Sequence, residues 1–127
     1  MAEVVLDTSA LLAFVGGEQG GEIVASVIGE AIISTVNLAE AVTKLVDRGA
    51  SLEIAREALA VADYEVVDFD RAQAELAGSL IAQTRPRGLS LGDRACLALA
   101  MRAGVPAITG DRAWHALNLG VEIKLIR

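Results

Sequence analysis

An α/β fold built on a parallel sheet is predicted by three features of this chain. Short apolar runs of β character alternate with helix-like stretches from one end to the other. Hydrophobic residues make up 54% of the chain but aromatics only 3%, a mixture rich in Ala, Leu and Val that suits helices packed on a small buried sheet. Its 127 residues fit a single domain, 1–127, with one hydrophobic core. Strands separated by helices pair in parallel and carry helices on both faces.

The elements follow in order. Residues 3–7 form a first strand, and residues 8–14 a short helix stopped by Gly16 and Gly17. Gly20 and Gly21 precede a helix near 22–29, and residues 31–33 are a buried strand. Ser34 caps a helix that runs to about Arg48 and stops at Gly49. Ser51 caps the next, to about Ala62, and residues 64–67 form a third strand. Asp70 and Gln73 have capping-box spacing for a helix over 71–84, and Arg85-Pro86-Arg87-Gly88 is a loop. Ser90 with Asp93 opens a helix ending near Gly104, which Pro106 prevents from continuing. A strand at 106–109, a short helix at 112–118 and a strand at 121–126 complete the chain.

Composition narrows the function. Cys96 is the only cysteine, so no intrachain disulfide forms, and it reads as a space-filler on a buried helix face in a reducing compartment. No apolar run approaches the roughly 18 residues of a membrane span, and no signal-peptide pattern precedes Glu3; a cytoplasmic protein is expected. A net charge of −6 counts against nucleic-acid binding unless the acids are concentrated where cations offset them. The bases are nine Arg and two Lys, and Arg is the better bidentate phosphate ligand. Arg85, Arg87, Arg94 and Arg112 lie near the acids Asp93 and Asp111 in sequence. They are candidate phosphate contacts or ordinary surface charges.

Four acids stand out. Asp7 and Asp111 close two β-like runs, where open parallel sheets bind their ligands. Glu40 and Asp93 fall on helices. Each has a plain explanation by itself. Asp7 and Asp111 suit N-caps, and Asp93 suits a capping box at the positive end of a helix. Glu40 shares a helix face with Asn37 and Lys44, opposite Leu38, Val42, Leu45 and Val46, which reads as a solvated face with a Glu40–Lys44 pair. Together they read differently: four converging carboxylates repel one another and need protons or a hard divalent cation, Mg²⁺ above all.

The chain resembles PIN domains, specifically the VapC-like toxin nucleases of type II toxin–antitoxin modules. The resemblance rests on Asp7-Thr8-Ser9-Ala10-Leu11-Leu12-Ala13 after the first strand and Asn37-Leu38-Ala39-Glu40 on a helix. It continues with Leu89-Ser90-Leu91-Gly92-Asp93-Arg94-Ala95 and Thr109-Gly110-Asp111-Arg112-Ala113-Trp114, in order along the whole length. It implies a three-layer α/β/α sandwich around a parallel five-stranded sheet, and an endoribonuclease dependent on Mg²⁺, with Mn²⁺ as substitute. The resemblance makes Asp7, Glu40, Asp93 and Asp111 the catalytic acids and metal ligands, Asp7 and Asp93 most directly. Thr8, Ser9 and Thr109 match polar positions around the pocket. It also implies an RNA substrate, a homodimer, and an antitoxin whose C-terminal segment crosses the site, with helices near 8–14 and 36–46 as a groove to receive it. His115 has no assigned role, and Trp114 reads as a core anchor.

Two other classes fit part of the pattern. A phospho-acceptor receiver domain would use Asp7, Asp68 or Asp70, Thr109 and Lys124, but lacks paired acids at the first strand and gives Glu40 and Asp93 no role. A haloacid-dehalogenase-type phosphatase wants an Asp where Ser9 stands. A catalytically silent PIN-like binding module is the third alternative.

Overall fold

The computed structural model describes residues 3–127. Five parallel strands form one sheet in the order β3-β2-β1-β4-β5, with β1 Val4–Leu6, β2 Ala31–Ser34, β3 Glu65–Val67, β4 Ala107–Thr109 and β5 Ile123–Leu125. Chain direction along the sheet reverses between β1 and β4, which makes their shared carboxyl end the switch point where such sheets bind ligands.

Alternation along the strands divides the core. Val5 and Ile32 face Cys96, Leu97, Leu99 and Ala100 of α7 (Leu91–Ala103). Val4 and Leu6 face the other way, toward Ala10 and Ala13 of α1 (Thr8–Gly16) and Val24 of α2 (Gly21–Ala25). Ile33 packs on the same side, with Leu11, Leu12, Ala41 of α3 (Thr35–Asp47) and Leu59 of α4 (Leu52–Leu59). Central strands covered on both faces are buried throughout, as the unbroken apolar run Val4-Val5-Leu6 requires. The expected three-layer sandwich with a parallel five-stranded sheet is therefore the fold. Trp114 and Cys96 are wholly buried, as their core reading expects.

Four helix boundaries differ from those read in the sequence, and side chains explain them. The stretch 22–29 breaks after Ala25 and 71–84 divides into α5 (Arg71–Ser79) and α6 (Ile81–Thr84). In both, a serine hydroxyl donates to the carbonyl three residues back, Ser26 to Ile23 and Ser79 to Leu76, each at 2.6 Å, and competes with the helical ladder. The Ser51 helix stops at Leu59, whose carbonyl accepts from the Tyr64 hydroxyl. The stretch 112–118 is a single 3₁₀ turn, Arg112–Trp114. Arg87 donates to the His115 carbonyl at 2.6 Å and Ala116 adopts φ 63°, so no helix continues. The Asp70–Gln73 box is half made: Asp70 accepts from the Gln73 backbone, but the Gln73 side chain donates to the Asp68 carbonyl.

Among the described residues no helix is long and apolar enough to cross a membrane. The outer strands β3 and β5 have three residues each, with Glu65 and Lys124 exposed.

The α1–α2 corner depends on Gly21, where a Cβ would run into the Ala13 carbonyl. Backbone cannot yield there as a side chain could. Gly21→Ala is expected to cost about 1–3 kcal/mol, whereas Gly29→Ala, with nothing within 4 Å of its new methyl, is expected to be near neutral. Urea unfolding of the two variants checks this; equal midpoints would refute it.

Candidate active site

Parallel register builds the site. Leu6 pairs with Ile108, so the next residues, Asp7 and Thr109, stand side by side at the ends of β1 and β4. Thr109 Oγ1 donates to Asp7 Oδ2 at 2.5 Å. Asp7 Oδ1 accepts from the Ala10 amide at 2.8 Å, the expected N-cap of α1, and from Ser9 Oγ at 2.7 Å. Ser9 Oγ accepts in turn from the Gly110 amide at 2.8 Å, and Thr109 Oγ1 from the Asp111 amide at 2.9 Å. Asp111 is exposed and caps the 3₁₀ turn by accepting from the Ala113 amide at 2.9 Å.

Glu40 reaches the same place from α3. Its Oε1 accepts from Thr8 Oγ1 at 2.7 Å and from Asn37 Nδ2 at 3.2 Å, so its partners are on α1 and α3 rather than Lys44. The helical-wheel reading of a solvated face fails at Asn37, which is 1% exposed. Asn37 Nδ2 also lies 3.2 Å from Thr8 Oγ1 and 3.1 Å from the Gly92 carbonyl, joining α1, α3 and α7. Its Oδ1 is buried without a partner among the described residues. Meanwhile the apolar residues on the other side of α3 are only half-buried, and Val46 is exposed.

Asp93 sits in the first turn of α7 in a complete capping box. Asp93 Oδ2 accepts from the Ser90 amide at 2.8 Å and Ser90 Oγ from the Asp93 amide at 3.2 Å. The cap explains why an acid is tolerated there without excluding a second role.

Electrostatics connects the four acids. Burial raises the Asp7 pKa from 3.8 to about 6, against the lowering effect of its three hydrogen bonds, and the Asp93 charge pushes it further up. Asp93 is raised first by burial, opposed by its bonds to Ser90, and then by the charges of Asp111 and Glu40. Beneath them, burial pushes the Cys96 thiol well up, with Asp7, Asp93 and Glu40 adding to it. The thiol stays protonated and inert.

The residues suit a hard divalent cation by donor chemistry. Carboxylate and hydroxyl oxygens surround the site, and a buried Asp7 is costly to ionise without positive charge nearby. Gly92 clears the space: a Cβ there would collide with the Glu40 carboxylate. Among the described residues no three Asp, Glu, His or Cys side chains close into a ready-made chelating cluster. Glu40 and Asp93 each have one oxygen engaged by a local hydrogen bond, to Thr8 and to the Ser90 amide, and Mg²⁺, which keeps several of its waters, needs few direct protein ligands.

The arginines separate. Arg94 Nη1 donates to the Ala77 carbonyl on α5 at 3.1 Å with its Nε buried, so it braces α7 against α5. Arg87 ties down the His115 carbonyl, while Arg85 and Arg112 are exposed. Of the receiver alternative's residues, Asp70 caps α5 beside edge strand β3, with β2 between it and Asp7.

Fold and site define a doubly wound α/β protein with acidic side chains gathered near its switch point. The chain belongs to the PIN domain family, whose profile matches residues 4–118. Its fold is shared by a chain of VapBC-5 from Mycobacterium tuberculosis, a member of the VapBC family of toxin–antitoxin systems. The two are 29% identical with a TM-score of 0.67, and the match covers 98% of this chain and 99% of that one. It is also shared by a chain of DNA-bound VapBC from Salmonella typhimurium (19% identity, TM-score 0.76, 100% of both chains). VapC20 of M. tuberculosis, a sarcin–ricin loop cleaving toxin, matches at 20% identity and TM-score 0.71 over 91% of this chain and 97% of that one. No curated protein matches the sequence.

Asn37 and Gly92 are the site residues that reading the acids alone misses. Their signal in the sequence is proximity to the acids, Asn37 three residues before Glu40 and Gly92 just before Asp93.

The raised Asp7 pKa sets a stability trend. A carboxyl whose folded pKa lies above its unfolded value contributes stability that is complete below 3.8 and lost as pH rises through about 6. Without metal, ionised Asp7 costs about 3 kcal/mol at neutral pH. Asp7→Asn is expected to melt several degrees above the parent in EDTA at pH 7.5, with the gap narrowing at pH 5. Thermal unfolding at the two pH values checks this; a gap that does not change with pH would refute it. Gly92→Ala is expected to displace the Glu40 carboxylate and weaken divalent-cation binding at least about tenfold by calorimetric titration, with circular dichroism confirming the fold.

Proposed function

We propose that this chain is an Mg²⁺-dependent endoribonuclease, the toxin of a VapBC-like type II toxin–antitoxin pair, with Mn²⁺ able to substitute. One observation carries the reading: Asp7, Glu40, Asp93 and Asp111, from four separate places in the sequence, come near enough for the Asp93 charge to raise Asp7 and for the Asp111 and Glu40 charges to raise Asp93, with Asp7 at the switch point of a PIN fold. The likeness to a VapBC-5 chain supports the toxin reading.

Asp7 and Asp93 would hold the cation, with Asp111 completing the site and Glu40 binding metal or orienting water. When bound, Mg²⁺ supplies charge neutralisation at phosphorus and activation of water. Thr8 and Asn37 fix the Glu40 carboxylate, so its free oxygen is presented in one direction. Ser9 and Thr109 hold Asp7 in place. Water attack in line with the 3′ oxygen leaves a 5′-phosphate and a 3′-hydroxyl. Arg112, next to Asp111, and Arg85 are exposed and would contact RNA phosphates; Arg94 serves packing instead.

An antitoxin is the expected partner of this cytoplasmic protein, and a homodimer the expected assembly. Residues 10–13 are core, so α1 offers no groove. A groove of about 450 Å³ does run between α3 and α4, lined by Leu38, Val42, Leu52, Leu59, Tyr64 and Val66, and it suits the apolar face of a partner helix.

Purified protein incubated with total RNA in Mg²⁺, Mn²⁺ or EDTA tests the reading beside an Asp7→Asn/Asp93→Asn double variant. Discrete fragments that need metal, carry 5′-phosphates and fall more than about a hundredfold in the variant are expected. A 2′,3′-cyclic phosphate end would overturn the mechanism. No cleavage by folded, antitoxin-free protein would make the chain a silent binding module.

A further inference from the structure

Gly110 has an ordinary backbone conformation that any residue could adopt, since its φ lies outside the left-handed region. What excludes a side chain is Arg127. A Cβ on Gly110 would stand 2.9 Å from Arg127 Cζ and 3.0 Å from both Nε and Nη2, so the guanidinium lies against the glycine face. Arg127 Nη1 donates to the Gln19 carbonyl at 3.1 Å and stands 3.6 Å from Glu18 Oε1. Ile126, just before it, donates its amide to the Thr109 carbonyl at 3.1 Å and packs so close to Gly20 that a Cβ there would meet it at 2.5–2.8 Å. The last two residues of the sequence thus lie between the α1–α2 turn and the segment 109–111.

That segment carries the Thr109 bond to Asp7, the Gly110 amide bond to Ser9, and Asp111 itself. We propose that Arg127 is a positioning residue of the active site, a strap that holds Asp111 and Thr109 in place relative to Asp7 by pinning Gly110 to the α1–α2 turn. The Glu18 pair is half-exposed and contributes little. The strap acts through the planar fork of Arg127, one arm on the Gln19 carbonyl and its face on Gly110. The inference rests on the nuclease reading for its kinetic consequence but not for its structural one.

Two variants remove the strap in different ways. Arg127→Ala deletes it, and Gly110→Ala displaces it, since the far end of a flexible side chain is all that must move. RNA cleavage is measured for both, with and without added methylguanidine, and amide exchange at positions 110 and 111 is followed by NMR. Both variants are expected to lose about tenfold in kcat with KM within about twofold, and to exchange those two amides faster. Methylguanidine is expected to restore Arg127→Ala and not Gly110→Ala, whose methyl fills the guanidinium's place. Unchanged kcat in Arg127→Ala beside an active parent overturns the proposal. A rise in KM alone would also overturn it, by making Arg127 a substrate contact. If the parent cleaves nothing, the nuclease reading fails separately, and unchanged exchange at 110 and 111 then refutes the strap.

Discussion

Burying a carboxylate at the end of a central strand constrains everything around Asp7. The group is 3% exposed and must have its oxygens satisfied by the protein. Three donors do this: the first turn of α1, the Ser9 hydroxyl and the Thr109 hydroxyl. The last is available only because β1 and β4 are neighbours in parallel register. Sheet order, register and the start of α1 are therefore coupled to one side chain. Hydrogen bonds stabilise its charge less than burial penalises it, so the carboxyl favours its protonated form unless positive charge is nearby.

The same logic extends outward from Asp7. Glu40 is held by Thr8, the residue after Asp7, and by Asn37, which also reaches the α7 backbone at Gly92. Asp93, one residue later in the first turn of α7, is fixed by its own cap. Acids distant in sequence thus acquire defined positions through uncharged polar residues. Their mutual repulsion is still felt, since the Asp111 and Glu40 charges help raise Asp93.

Much of this was legible in the sequence, for identifiable reasons. Strands of continuous Val, Ile and Leu between capped helices gave the parallel fold, and Ser34, Ser51 and Ser90 cap where their spacing says. Asp7, Glu40, Asp93 and Asp111 could be picked out because acids at strand ends and on motif helices are conspicuous. What periodicity could not show was contact between elements. Asn37 looked solvated because a helical wheel knows one helix, and its partners are on two others. Arg94 looked like a phosphate ligand from its nearness to Asp93, yet its side chain points to α5. Helix breaks at Ser26 and Ser79 were hidden because serine hydroxyls serve as readily in solvent as against a carbonyl.

The outer strands of the sheet bear on how this protein meets others. A three-residue edge offers few free amides and carbonyls, and Glu65 on β3 and Lys124 on β5 add charge to each rim. Another chain would gain too little backbone pairing there to dock by strand addition. Growth into a continuous intermolecular sheet is blocked for the same reason. A partner seated in the apolar channel between α3 and α4 would instead be selected by side-chain shape rather than by the repeating pattern common to all backbones.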